Sequence, residues 1–109
     1  MPADGAIGWV ASETQLEPLQ YSYLVRSMTL AWAADGIRVN AIAPGWFLSE
    51  MTQEMFDDEG GRTFIRRNTP MGRPGELAEL DGALLYLASD ASTYTTGAIL
   101  TVDGGWVAR

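Results

Sequence analysis

The 109-residue chain has no cysteine and no histidine, and its seven basic residues are all arginine, so lysine is absent as well. Without cysteine there is no disulfide. Without cysteine or histidine there is no metal centre built on those ligands and no Cys or His nucleophile. The lack of cysteine says nothing about redox compartment. Positive charge is scarce: fourteen acidic residues against seven arginines leave a net charge of −7. Nucleic-acid grooves need clustered Lys and Arg, so this balance argues against one. No apolar run approaches the ~20 residues of a membrane-spanning helix. Met1-Pro2-Ala3-Asp4-Gly5 has no basic start of the kind that opens a secretory signal. The expectation is a soluble cytoplasmic protein without a nucleic-acid or membrane partner. No internal repeat, low-complexity tract or linker is visible.

What is present suits one α/β domain over residues 1–109: 47% hydrophobic residues and twelve glycines. The chain is organised around Gly36-Ile37-Arg38-Val39-Asn40-Ala41-Ile42-Ala43-Pro44-Gly45-Trp46-Phe47-Leu48-Ser49-Glu50-Met51. Gly36 stops a helix, Val39–Ala43 reads as a short buried strand, and Pro44-Gly45 breaks it. A buried strand ending in such a break suits an open parallel sheet, whose ligands sit outside the carboxyl ends of the strands. Upstream, Gly5–Ser12 reads as a strand weakened by its glycines. Pro18 opens a helix predicted to run to Ala34, with Asp35-Gly36 as its stop. Leu24, Met28 and Ala31 form one apolar stripe on it, and Val25, Thr29 and Trp32 another, so it needs cover on two sides.

Downstream, Met51, Met55 and Phe56 suggest a weak amphipathic helix leading into a flexible acidic turn, Asp57–Gly61. A charge run of this kind also suits a plain solvated loop. Glu76–Ala88 is the clearest helix, with Leu77, Leu80, Leu84 and Leu87 at helical spacing and Glu76 and Glu79 at the positive end of its dipole. Gly97 precedes a strand, Ala98–Val102, and Asp103-Gly104-Gly105 turns out of it. The predicted sheet is parallel, about three strands, in the order Ile7–Val10, Val39–Ala43, Ala98–Val102.

The run Gly36–Met51 closely resembles the sixth strand and following loop of the short-chain dehydrogenase/reductase family. A second block, Pro70-Met71-Gly72-Arg73-Pro74-Gly75-Glu76 through Val102-Asp103-Gly104-Gly105-Trp106, follows in the family's order. Together they cover roughly the last two-thirds of the chain. The resemblance implies a truncated Rossmann-like fold, the C-terminal portion of an NAD- or NADP-dependent oxidoreductase acting on a carbonyl or secondary alcohol. It implies that the Pro44-Gly45 loop lies against the nicotinamide, with Phe47 and Ser49 meeting the carboxamide. It places Ser12 on the family's catalytic serine, although a serine there could equally end a strand or begin a turn. It makes the 51–61 region a substrate-covering loop and the 18–34 helix a subunit contact, hence a homo-oligomer or association with full-length relatives.

Other family parts are missing from this sequence. The Gly-x-x-x-Gly-x-Gly turn that binds the cofactor diphosphate occurs nowhere, and it belongs to the first half of the fold. The Tyr-x-x-x-Lys pair is also absent. Counting back from Asn40, Thr14 and Pro18 stand in those positions, while Tyr21 falls about seven residues late, roughly 10 Å along a helix. The expectation is a chain without hydride transfer of its own, or alternatively an inactive oligomerisation module derived from the family.

Overall fold

A computed structural model describes residues 7–10 and 18–108. Its centre is strand β2, Val39–Pro44, which lies between β1, Ile7–Val10, and β5, Ile99–Val102. Both pairings are parallel: Ile7↔Val39 through Val10↔Ile42 on one side, Ala41↔Ile99 through Pro44↔Val102 on the other. A central parallel strand is covered on both faces, which is why Val39, Ala41 and Ile42 are apolar without alternation, and all three are buried. The predicted three-stranded order is the observed one. Phe47–Leu48 (β3) and Gly75–Glu76 (β4) add a short second parallel pair, too brief to leave a sequence pattern.

Helix α1 runs Pro18–Trp32 and tightens into a 3₁₀ turn, Ala33–Asp35. Gly36, at φ 77°, ends it in the left-handed region and donates its N–H to the Ala33 carbonyl. The Val25, Thr29 and Trp32 stripe is the one that faces the sheet. Val25 is buried, and the Thr29 hydroxyl lies 3.5 Å from the Val39 carbonyl. Leu30, 84% exposed, and Tyr23, 66% exposed, point away from the sheet.

The chain after β3 departs from expectation. Gln53–Asp57 (α2) is helical, as the Met and Phe spacing suggested, but Glu59–Asn68 is a second helix, α3, and not a flexible acidic turn. Asp58 explains the difference: its carboxylate accepts the Gly61 N–H at 3.0 Å and so caps α3, satisfying a donor that the first helical turn leaves unpaired. The predicted 76–88 helix is likewise divided into a 3₁₀ segment, Leu77–Leu80, and α4, Asp81–Ala88. A capping box starts it, with Glu76 accepting from the Glu79 N–H and Glu79 from the Glu76 N–H. Leu77, Leu84 and Leu85 on this segment remain exposed.

The end of α4 is fastened to β2 by Arg38, a cation only 7% exposed. Its Nη1 donates to Ser92 Oγ and the Thr95 carbonyl, and its Nη2 to the Leu87 and Ser89 carbonyls. The Leu87 carbonyl belongs to the last turn of α4 and Ser89 follows it directly, and there the helix dipole favours a positive charge. Asn40 completes the clasp, donating to the Thr95 carbonyl and accepting from the Ala98 N–H. The polar residues on either side of Val39 thus hold the 89–98 connection against the sheet. Among the described residues no helix is long and apolar enough to cross a membrane, and no group of His, Cys, Asp and Glu side chains could hold a metal ion.

Candidate functional site

Proline at the end of β2 and glycine after it give the chain an abrupt exit at the carboxyl edge of the sheet. Gly45 donates its N–H to the Val102 carbonyl at 3.0 Å, so the exit is tied to the end of β5. A methyl group on Gly45 would sit 2.7 Å from Asp103 Cβ and 2.8 Å from Asp103 Cα. The close approach that demands glycine here is therefore to the chain's own Asp103. Asp103 in turn accepts from the Gly105 and Val107 N–H groups and shapes the turn that follows β5. Trp106 from that turn meets Trp46 edge-on at 6.3 Å between ring centroids and lies 5.7 Å from Phe64 of α3.

Beyond the exit, Phe47 is buried with its ring against Gly75, where no side chain could fit. Thr52 then fixes the bend. Its hydroxyl donates to the Phe47 carbonyl at 2.7 Å and accepts the Ser49 N–H at 3.0 Å. Ser49 is half-buried, and its hydroxyl lies 3.3 Å from that of Thr52. A hydroxyl can donate once and accept twice, so Ser49 keeps capacity for a further partner, and the Phe47 carbonyl keeps a second lone pair.

Among the described residues, two clefts flank this loop. One, of about 140 Å³, lies between Trp46, Phe47, Thr69, Met71 and Gly104. The other, of about 370 Å³, opens between Leu48 and the α2–α3 pair. Arg73 borders both. Its guanidinium grips Glu79 with both nitrogens, Nη1–Oε1 at 2.8 Å and Nη2–Oε2 at 3.1 Å. That hydrogen bond, helped by the Glu76 N–H, lowers the Glu79 pKa to about 2, and Glu79 raises that of Arg73.

Of the residues singled out in the sequence, Pro44, Gly45, Phe47 and Ser49 lie on one continuous exit from the central strand. Ser12 falls outside the described residues. Thr52 was not anticipated, though Ser49-x-x-Thr52 is the spacing at which one hydroxyl can bridge a tight bend. Arg62 and Arg66, which line the larger cleft, were also missed; their separation of four along α3 was the available signal.

The sequence profile of the enoyl-(acyl carrier protein) reductase family matches residues 21–107. A 2-dehydro-3-deoxy-D-gluconate 5-dehydrogenase of Bacillus subtilis (strain 168) is 45% identical over 86 residues, 79% of this chain and 34% of that protein. A galactitol 2-dehydrogenase (L-tagatose-forming) of Cereibacter sphaeroides is 50% identical over 84 residues, 76% of this chain and 33% of its own. Among solved structures, a gluconate 5-dehydrogenase from Burkholderia cenocepacia J2315, in complex with NADP and tartrate, superposes with a TM-score of 0.86 at 32% identity. That match covers 98% of this chain and 46% of the other. The chain thus spans about a third of the length of the curated relatives it matches. Profile, sequence and fold agree: the chain belongs to the short-chain dehydrogenase/reductase family.

Proposed function

We propose that this chain is the nicotinamide-side, substrate-covering portion of an NAD- or NADP-dependent oxidoreductase acting on a carbonyl or secondary alcohol. It depends on a diphosphate-binding portion that its own sequence does not supply. The observation that carries this reading is the bend Pro44–Thr52. It leaves the carboxyl end of a central parallel strand, where such sheets bind ligands, and presents a half-buried Ser49 hydroxyl beside the Phe47 carbonyl. These two groups match a primary carboxamide once the Ser49 hydroxyl turns its single proton from Thr52 to the ligand: the hydroxyl then donates to the amide oxygen and the Phe47 carbonyl accepts from the amide nitrogen. When bound, the nicotinamide supplies the hydride acceptor or donor. The protein's own part is to orient the ring through Ser49 and Phe47 and to wall the space beside it with α2 and α3.

The remainder of the machinery is not on this chain. No lysine exists to hold a tyrosine's proton in play, and Tyr23 of α1 projects away from the sheet, 66% exposed. Hydride transfer by the chain unaided is therefore not expected. The test is a turnover assay with NADH and NADPH against sugar acids and secondary alcohols. Absence of turnover agrees with the reading. Turnover that disappears in Tyr21→Phe would overturn it by showing that the proton donor is here after all. The place of action is the cytoplasm on this reading.

A second reading rests on surface apolarity: the chain is an interaction module that pairs with copies of itself or with full-length relatives. Leu30 and Tyr23 on α1, Leu85 and Tyr86 on α4, and the open edge of β1 all lack cover among the described residues. Unpaired strand edges and apolar helix faces recruit other chains. Sedimentation at micromolar concentration separates the two readings. A folded 11.8 kDa monomer argues against the module.

A further inference from the structure

The larger cleft is electrostatically at odds with the rest of the molecule. The chain carries −7 overall, yet Arg62, Arg66 and Arg73 line this one cavity of about 370 Å³ and no acidic residue does. Gln53 is the other polar residue of its wall; Leu48, Phe56, Ile65 and Pro74 make the apolar part, with Phe56 and Ile65 buried. Apolar walls lower the local dielectric and so strengthen any charge-assisted hydrogen bond formed there. Among the described residues the one ion pair is Arg73–Glu79, so neither Arg62 nor Arg66 is neutralised by a carboxylate. Arg62 is held in place, its Nη1 donating to the Phe56 carbonyl at 2.8 Å at the end of α2. Arg66 lies one helical turn further along the same face of α3. Two guanidinium forks on a rigid helix, beside an apolar wall, suit a planar oxyanion.

Position gives the cleft its meaning. Leu48 is both a wall of it and the immediate neighbour of Ser49 on the loop described above. Resting on the proposed function of that loop, we infer that the cleft selects a small hydroxylated carboxylic acid and holds its carboxylate between Arg62 and Arg66. The matched relatives are named for both kinds of compound: one for a sugar acid, another for the neutral alditol galactitol. A neutral alditol offers nothing to these arginines. The geometry therefore assigns the chain to the acid-accepting group. The cavity is large enough for a six-carbon acid, within the ordinary range for small-ligand sites of about 300–1,000 Å³.

Binding can be read without turnover. D-gluconate, galactitol and inorganic phosphate are titrated separately into the 109-residue chain while backbone amide resonances are followed. The expected result is that gluconate shifts resonances of α3 and Leu48 and that galactitol does not. Arg66→Gln should weaken gluconate binding about tenfold, the loss of one charge-assisted pair. Arg67→Gln makes the same change in net charge one residue further on, outside the cleft, and should leave binding unchanged. The Arg66 side chain makes no hydrogen bond within the described residues, so its replacement should not disturb the fold; Arg62→Gln is the second variant. Equal effects of Arg66→Gln and Arg67→Gln, equal binding of gluconate and galactitol, or no binding of gluconate at millimolar concentration would each overturn the assignment. Tighter binding of phosphate than of gluconate would overturn it too, in favour of a phosphate ester. Reduced nicotinamide mononucleotide, added in a parallel titration, keeps the two proposals apart. Its failure to perturb Phe47–Thr52 counts against the loop's function, whereas failure of gluconate alone counts against the cleft.

Discussion

Arg38 Nη1 donates to Ser92 Oγ at 2.9 Å, joining residues 54 positions apart in sequence. The pair places a buried cation against carbonyls at the end of α4 with no carboxylate involved. This arrangement holds the loop from Ser89 to Gly97 where β5 can begin. The Arg-Val-Asn run that marks the family in sequence is, in this chain, a clasp between the central strand and its next neighbour. Arg38→Met should remove four hydrogen bonds and cost about 2–4 kcal/mol, although the Thr95 carbonyl keeps its Asn40 donor and the Ser92 hydroxyl can still serve the Leu87 or Ser89 carbonyl. Arg38→Lys should recover only part of this, because an ammonium cannot span acceptors set out for a fork. Urea unfolding of the two variants beside the parent checks both statements.

Gly45 and Gly82 make a matched pair of opposite sign. A methyl group on Gly45 would strike Asp103, whereas one on Gly82, in α4, meets nothing within 4 Å. Gly45→Ala should therefore separate the ends of β2 and β5 and cost about 1–3 kcal/mol. Gly82→Ala should stabilise by about 0.5–1 kcal/mol through helix propensity alone. Thermal melting should move in opposite directions, down by about 5 °C or more for the first and slightly up for the second. A harmless Gly45→Ala would mean that the exit loop is looser than described.

The Arg73–Glu79 pair predicts a specific acid sensitivity. The folded-state pKa of Glu79 lies at about 2, below its ordinary 4.5, because of the Arg73 hydrogen bond and the Glu76 N–H. A depressed carboxylate contributes stability that is fully present above 4.5 and is lost as pH falls through about 2. The group is exposed, so solvent screening keeps the effect small. Glu79→Gln should be less stable than the parent at about pH 6, and the difference should shrink as pH falls toward 2 and vanish below it. An undiminished difference at low pH would assign the loss to the altered cap instead of the charge.

Strands and long helices were legible because burial on two faces leaves mostly apolar runs, as in Val39–Ala43 with Asn40 as its one polar member, and because Pro18 and Gly36 mark helix ends. The exit loop was legible as Pro44-Gly45, but the physical cause of its glycine was not. A residue 58 positions away cannot be read from local pattern, and the close approach that calls for glycine is to Asp103. Helix α3 was hidden because Asp58, Glu59 and the two glycines read as a solvated turn. One capping carboxylate reversed that outcome. Leu84 and Leu85 of α4 stay exposed, because helical spacing marks a face without saying what covers it. The arginine cleft was invisible for a different reason: Arg62 and Arg73 meet only once α3 and β4 pack around Leu48.

On the proposed function this chain holds the nicotinamide end of a cofactor site and not its adenosine end. Comparing reduced nicotinamide mononucleotide with NADH tests it most directly, by amide chemical shifts and affinity on the same sample. Weak binding of both is expected, with shifts confined to Phe47–Thr52 and NADH affinity within about threefold of the mononucleotide, because the sequence has no diphosphate-binding glycine turn. NADH binding tighter by tenfold or more, or shifts that leave Phe47–Thr52 untouched, would contradict it.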